Sequence, residues 1–295
     1  MSIPFDTQCL LCHLRRNLEV VKSLGTQQQA MDFARDMMRM YLDAPREVSS
    51  PWFNPQTADL MCKHYGLPLD RMQEEKQQSN AFVLERMELI RRKVQSAPDP
   101  VFAGLQFAVL GNYLDFSALQ GQVSFETLEA MLDQAFALEL DQAVYDSFRR
   151  ELEQGKHLLY LTDNAGEIGF DRIFAEELAA AYPHLNITFC VRGDICLNDA
   201  TRADAAAVGI PFPVIDNGNR IPGTQIDQLS REAKEALDTA DVILAKGMAN
   251  CETMLGCGYN VYYAFLVKCQ RFAERFQKPM LTPMFVKERT VCVSR

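Results

Sequence analysis

The sequence predicts an α/β protein. An all-helical N-terminal region, residues 1–154, precedes an α/β domain, residues 155–295, with a mostly parallel sheet covered by helices on both faces. Three observations carry this reading. Before position 155, apolar residues recur at spacings of three and four, the period of an amphipathic helix. After it, short apolar runs alternate with helix-length segments, the pattern of strands joined by helical crossovers. Over the whole chain, 295 residues with 48% hydrophobic content can bury a sizeable core.

The elements follow in order. Helices are expected over 7–24 and 27–42; in the second, Ala30, Phe33, Met37 and Tyr41 lie on one stripe. The stretch DAPREVSSPWFNPQ, rich in Pro and Ser, reads as a loop. Helices over 57–65 and 70–96 come next. Segment 100–113 is apolar almost all round and reads as a buried helix, with Gly111 near its end, and a helix pair covers 125–153. Strands are then expected at HLLYLT (157–162), ITFCVR (187–192), FPVI (212–215), DVILAK (241–246) and VYYAFLV (261–267). The intervening helices are 168–181, 199–207, 228–238 and 268–277, and a final apolar run, RTVCVS, closes the chain.

Charge and composition restrict the function classes. A net charge of −9 argues against nucleic acid or an anionic membrane surface as a partner. It leaves room for an anionic small molecule, because a bound cation can reverse the local field. No apolar run reaches the length of a membrane span, and MSIPFDTQCLLCHLRR lacks the plan of a secretory signal. Nine cysteines, an odd number without such a signal, point to reduced thiols and a cytoplasmic protein.

Parallel sheets bind ligands beyond the carboxyl ends of their strands. Three polar clusters fall there. Asp163, Asn164 and Glu167 follow the first strand in TDNAGEIG; Asn198 and Asp199 follow the second; Lys246, Asn250 and Glu252, in KGMANCE, follow a later one. Carboxylate and carboxamide oxygens are hard donors suited to Mg or Mn. Lysine suits phosphate, and a helix start at Gly166 would present backbone N–H groups to an anion. Each cluster has a plainer reading. Asp163-Asn164 and Asn198-Asp199 would serve as helix N-caps, Lys246-Gly247 as an ordinary turn, and Glu167 as a first-turn carboxylate favoured by the helix dipole.

The motifs DNAGE, ND-A-T and KG-x-x-N-x-E, in this order, resemble those of the damage-control phosphatase family. So do CLLC (9–12), similar to the Cys-x-x-Cys of its prokaryotic-type branch, GNYLDF (111–116) and VKC (267–269). The resemblance covers most of the chain. It implies a metal-dependent phosphatase with a helical N-terminal region and an α/β domain. It implies that Asp163, Asn164 and Asp199 hold a divalent ion (Mn, Mg, Co or Ni). It places Lys246, Asn250, Glu252 and Lys268 toward the substrate phosphate, and Asn112 and Asp115 at the pocket edge. Where family members often carry Lys-Ala-Lys-Cys, this chain has Leu266-Val267-Lys268-Cys269, one basic position fewer.

The expected chemistry is metal-assisted phosphoryl transfer from a small phosphorylated metabolite, a sugar phosphate or a damaged cofactor phosphate. The cation polarises the phosphoryl oxygens, and Lys246 with backbone N–H groups stabilises the charge on them. Either water or Asp163 attacks phosphorus, and Glu167 moves a proton or orients water. Rival readings fit less well. A haloacid-dehalogenase-type phosphatase needs an Asp where Ala165 stands, and a dinucleotide fold needs glycines that DNAGEIG lacks. An α/β methyltransferase and a metal- or phospholigand-binding module without turnover stay open. Cys9 and Cys12 form a lone Cys-x-x-Cys; a zinc site with Cys62 and His64 is the less favoured reading and buried thiols the favoured one. Cys251 is the thiol singled out for oxidation.

Overall fold

The computed structural model describes residues 2–114 and 125–288. The N-terminal region is helical: α1 (Thr7–Val21), α2 (Gln27–Asp43), α3 (Phe53–Tyr65), α4 (Gln73–Gln95), α5 (Pro100–Leu110), α6 (Phe125–Gln134) and α7 (Gln142–Gln154). Local chemistry sets their ends. Asp6, Asp99 and Asp141 accept hydrogen bonds from backbone N–H groups of the first turns of α1, α5 and α7, and Thr26 with Gln29 forms a capping box on α2. Pro at the first position of α5 costs nothing there, since that N–H has no intrahelical partner. The segment expected to be one buried helix over 100–113 changes to a 3-10 turn at Gly111.

The α/β domain follows as β1 (His157–Leu161), α8 (Glu167–Ala181), β2 (Asn186–Val191), α9 (Arg202–Ala207), β3 (Val214–Asp216), α10 (Arg231–Thr239), β4 (Val242–Lys246), α11 (Gly247–Met254), β5 (Val261–Leu266), α12 (Gln270–Phe276) and β6 (Pro283–Lys287). The strands form one sheet in the order β3-β2-β1-β4-β5-β6, parallel except for β6. The chain moves outward from β1 through β2 to β3, then returns to the other side of β1 with β4. That reversal opens a crevice between the carboxyl ends of β1 and β4. The register keeps these ends level: Leu161 lies opposite both Cys190 of β2 and Ala245 of β4. β4 and β5 are buried at every position, as continuous apolar strands covered on both faces must be.

Side-chain alternation divides the core into two. Tyr160, Leu244, Tyr262 and Phe189 face α5, α7 and α8, where they meet Phe107, Phe148 and Phe174. Leu161, Ile243, Tyr263 and Phe265 face α10, α11 and α12. Residues of α4, α5 and α7 therefore share one core with the sheet. Gly104 allows α5 to lie close against α8: a Cβ there would stand 2.9 Å from the Phe174 ring. α1–α3 pack around a smaller cluster of Val21, Phe33, Met37 and Met61.

Several boundaries differ from expectation. β6 falls in a stretch where the sequence predicts no element; as an edge strand, paired among the described residues with β5 alone, it tolerates Pro283. α9 starts at Arg202, not 199. The KG segment is itself the start of a helix, α11, with no turn between it and β4. Asp115 and the run RTVCVS lie outside the described residues.

Candidate active site

The cap and turn readings of the polar clusters fail on geometry, while Glu167 does lie in the first turn of α8. The residue capping α8 is Gly166 at φ 75°, and the one capping α9 is Thr201, in a capping box with Asp204. Asp163-Asn164 and Asn198-Asp199 are thus not the caps of these helices. The two loops that carry them are stitched together. Asn164 and Asp199 form an isolated antiparallel bridge, Ala200 N donates to Asp163 O at 2.8 Å, and Ala165 N donates to Asn198 O at 2.8 Å.

Two amides organise the carboxylates. Asn112 Nδ2 donates to Asp163 Oδ2 at 2.9 Å and to Glu167 Oε2 at 2.9 Å. Asn164 Nδ2 donates to the same two oxygens, at 2.8 and 2.9 Å. Each amide carries two N–H groups, so two donors serve two acceptors on each side. Asn112 was expected at the pocket edge; it lies fully buried at the centre. Its Oδ1 accepts from Leu266 N at 3.1 Å, which fixes the amide orientation.

Beneath this pair sits Lys246, fully enclosed. Its ammonium donates to Glu167 Oε1 at 2.6 Å, Asp171 Oδ1 at 2.7 Å and Ala108 O at 2.8 Å. An ammonium has three donors, and all three are committed. Burial disfavours its charge, but Asp171 and Glu167 outweigh burial and raise its pKa. The expected direct contact of Lys246 with substrate phosphate is therefore corrected: the lysine supports the carboxylates from below. Asp171, which also accepts from Tyr160 Oη at 2.7 Å, is pushed up to about 7 by burial, with Lys246 opposing. Its other oxygen is buried without a hydrogen-bond partner.

Glu167 is likewise enclosed, with Lys246 on one oxygen and amides on the other. That arrangement suits a positioning group better than the water-activating role first expected of it. Asn250 is also buried: Nδ2 donates to Lys246 O at 2.6 Å and Thr162 O at 3.2 Å, while Oδ1 accepts from Thr224 Oγ1 at 2.7 Å. It ties β1, β4 and the 224 loop together, in place of the substrate contact expected. Glu252 is pushed up to about 7 by burial, opposed by Arg271. Lys268 is half-buried beside α11, its backbone N–H directed at Met248 Sδ, 3.0 Å away.

Residues the motifs did not flag complete the frame. Arg192 Nε pairs with Asp199 Oδ2 at 2.8 Å, both buried; its position just past β2 was the available signal. Asp171 was readable at i+4 from Glu167 on one helix face. Asn80 of α4 accepts from Gly166 N at 2.7 Å and donates to Asp204 at 3.0 Å, so the helical region grips both loops. Gly247, at φ 78°, is obligatory: a Cβ there would overlap the Asp163 carboxylate.

The donor set can be tested against a metal. Among the described residues, no three of His, Cys, Asp and Glu gather into a metal site. Any ion at the loops therefore needs the Asn164 carboxamide oxygen beside the Asp163 and Asp199 carboxylates. That is an all-oxygen set, and it fits a hard divalent cation. The Asn112 amide bond to Asp163 Oδ2 and the Arg192 guanidinium bond to Asp199 Oδ2 are the outer contacts that orient such ligands. The same test sets aside zinc at the Cys-x-x-Cys. Cys9 contacts Arg271 at 3.0 Å and is pushed up to about 11 by burial, Cys12 is exposed, and His64 pairs with Asp36. Cys251 is fully buried, which removes the ground for singling it out for oxidation.

Comparisons with known proteins agree with this architecture. A damage-control phosphatase of Archaeoglobus fulgidus is 32% identical over 209 residues, 69% of this chain and 71% of that protein. An uncharacterized protein of Methanocaldococcus jannaschii is 26% identical over 285 residues, 92% of each. The crystal structure of a DUF89 family protein from Pyrococcus horikoshii superposes with a TM-score of 0.79 at 25% identity, covering 97% of this chain and 99% of that one. Residues 5–281 match the damage-control phosphatase ARMT1-like domain, and the chain belongs to that family.

Proposed function

We propose that the chain is a divalent-metal-dependent phosphatase that hydrolyses small phosphorylated metabolites. One observation carries the reading: Asp163 and Glu167 share two amide donors at the β1–β4 crevice, and the Asp163 loop is bridged to the Asp199 loop. Buried carboxylates gathered at a topological switch point, with amides and a lysine fixing them, are a preorganised site.

In this reading Asp163, Asn164 and Asp199 hold the cation. When bound, it supplies charge to polarise phosphoryl oxygens and activate a nucleophile. Asn112 and Asn164 set the direction in which Asp163 faces the crevice. Glu167 locks those amides, and Lys246 offsets the charge of Glu167 and Asp171. Gly247 leaves the space into which the Asp163 carboxylate fits. Lys268, half-buried and beside α11, is the lysine assigned in this reading to meet an incoming phosphate.

The test is hydrolysis of a phosphate ester panel by chelator-stripped protein, with Mg, Mn, Co and Ni added back singly. Metal-dependent turnover, reduced about 10³-fold or more in Asp163→Ala, is the expected result. Undiminished turnover in Asp163→Ala, or turnover indifferent to metal, overturns the assignment. Tight metal binding without turnover on any ester would instead describe a binding module.

A further inference from the structure

A small depression open to solvent, with room for about one water molecule, lies between the start of α3, the segment before α4 and the loop that follows β2. Arg71 and Arg220 line it, with Asn54, Ile195, Cys196 and Leu197. The last two residues lead directly into Asn198 and Asp199. Asp199 N also bonds back to Cys196 O at 2.9 Å, so the cleft wall and the candidate ligand loop are one turn. Leu197 is at most about 7 Å of chain from Asp199.

Two features mark this cleft as more than a surface irregularity. The Arg71 guanidinium makes no hydrogen bond or ion pair among the described residues, although the group is half-buried. Burial lowers its pKa, Arg16, of the same sign, lowers it further, and Glu75 opposes them. In a chain of net charge −9, a partly desolvated arginine left beside another arginine is a cation awaiting an anion. Arg220, on the opposite wall, is held by Asp59 and lies near Asp194. Leu197, a bulky residue, adopts φ 47°, a strained conformation that the surrounding turn enforces at the cleft wall.

We propose that this cleft binds a second anionic group of the substrate, a carboxylate or a phosphate, anchored by Arg71. The favoured substrates then carry a phosphate ester at one end and another anion a sugar's length away. The inference rests on the phosphatase reading for the reacting end, and its test separates the two.

Calorimetric titrations of the Asp163→Asn protein with Mg present compare glucose 6-phosphate with 6-phosphogluconate and glucose 1,6-bisphosphate. Glucose 1,6-bisphosphate differs from glucose 6-phosphate in the second anion alone, and 6-phosphogluconate carries its carboxylate on an open chain, so the last two tell a ring phosphate from an open-chain carboxylate. At least one doubly anionic probe should bind roughly tenfold tighter than glucose 6-phosphate, the scale of one charge-assisted hydrogen bond. Adding Arg71→Gln should bring that ratio close to one, with the thermal midpoint unchanged because the Arg71 guanidinium makes no hydrogen bond or ion pair among the described residues. Equal binding of all three probes, or a preference that survives Arg71→Gln, overturns the proposal. Failure of the phosphatase reading shows elsewhere, as absence of metal-dependent turnover in the unmodified protein.

Discussion

The crevice between β1 and β4 and the cleft beside Leu197 are neighbours built on opposite plans. In the crevice every charge is answered within the protein: Lys246 meets Glu167 and Asp171, and two amides span Asp163 and Glu167. In the cleft, the Arg71 guanidinium has no hydrogen bond or ion pair among the described residues. A satisfied buried network fixes geometry, because any movement leaves a charge uncompensated in a medium of low dielectric. A half-exposed, unanswered charge fixes nothing and is available to a ligand. On this view the crevice sets where chemistry happens and the cleft sets what is admitted.

The largest effect that would break this contrast comes from Lys246. Lys246→Met removes the cation between two enclosed carboxylates and should cost about 3–5 kcal/mol in denaturant unfolding. Adding Asp171→Asn, which removes one of those charges, should recover part of the loss. A midpoint indifferent to Lys246 would mean the network is not what holds the crevice. Next is Gly247→Ala. The added methyl displaces the Asp163 carboxylate and strains a left-handed backbone, so kcat/KM should fall about 10²-fold with a modest loss of stability. Near-normal kcat/KM would remove Asp163 from the reacting geometry.

Glu252 sharpens the contrast from the other side, as a buried carboxyl acted on by the single cation Arg271. Its pKa is raised from 4.5 to about 7, so the folded state holds a proton that the unfolded state has released in that interval. The folded state therefore loses stability as pH rises from about 4.5 to 7, by at most about 1.4 kcal/mol per pH unit, and levels off above. Thermal unfolding between pH 5 and 8 should show this decline, flattened in Glu252→Gln. The smallest effect is that of Lys268→Met, expected to raise KM for phosphate esters several-fold while leaving the unfolding midpoint in place. An unchanged KM would leave the incoming phosphate without a lysine.

Much of this was legible in the sequence, for identifiable reasons. The change from period-3.6 spacing to strand-length runs at Gly155 announced the α/β domain, since buried parallel strands must be apolar throughout. The loops after β1 and β2 stood out because Asp163, Asn164 and Asp199 fall where strands end. What the sequence concealed was depth. Lys246, Asn250 and Asn112 carry the residue types of ligand contacts, and only the packing of α5 against α8 and of α11 against β4 shows them enclosed. Asn80 and Arg71 belong to no motif: their roles depend on contacts between segments far apart in the sequence, 86 residues for Asn80 and Gly166. β6 is short and opens on a proline, a weak strand signal.

Asn112 and Asn80 have a consequence for how such a site is inherited. Both come from helices that precede Gly155, yet one aligns the carboxylates at the strand ends and the other clasps the loops on which those carboxylates ride. A fragment beginning at Gly155 would carry every proposed metal ligand and still lack the hands that aim them. The strand-end motifs are therefore not a portable cassette; recombination that swapped the helical half would separate the ligands from their alignment.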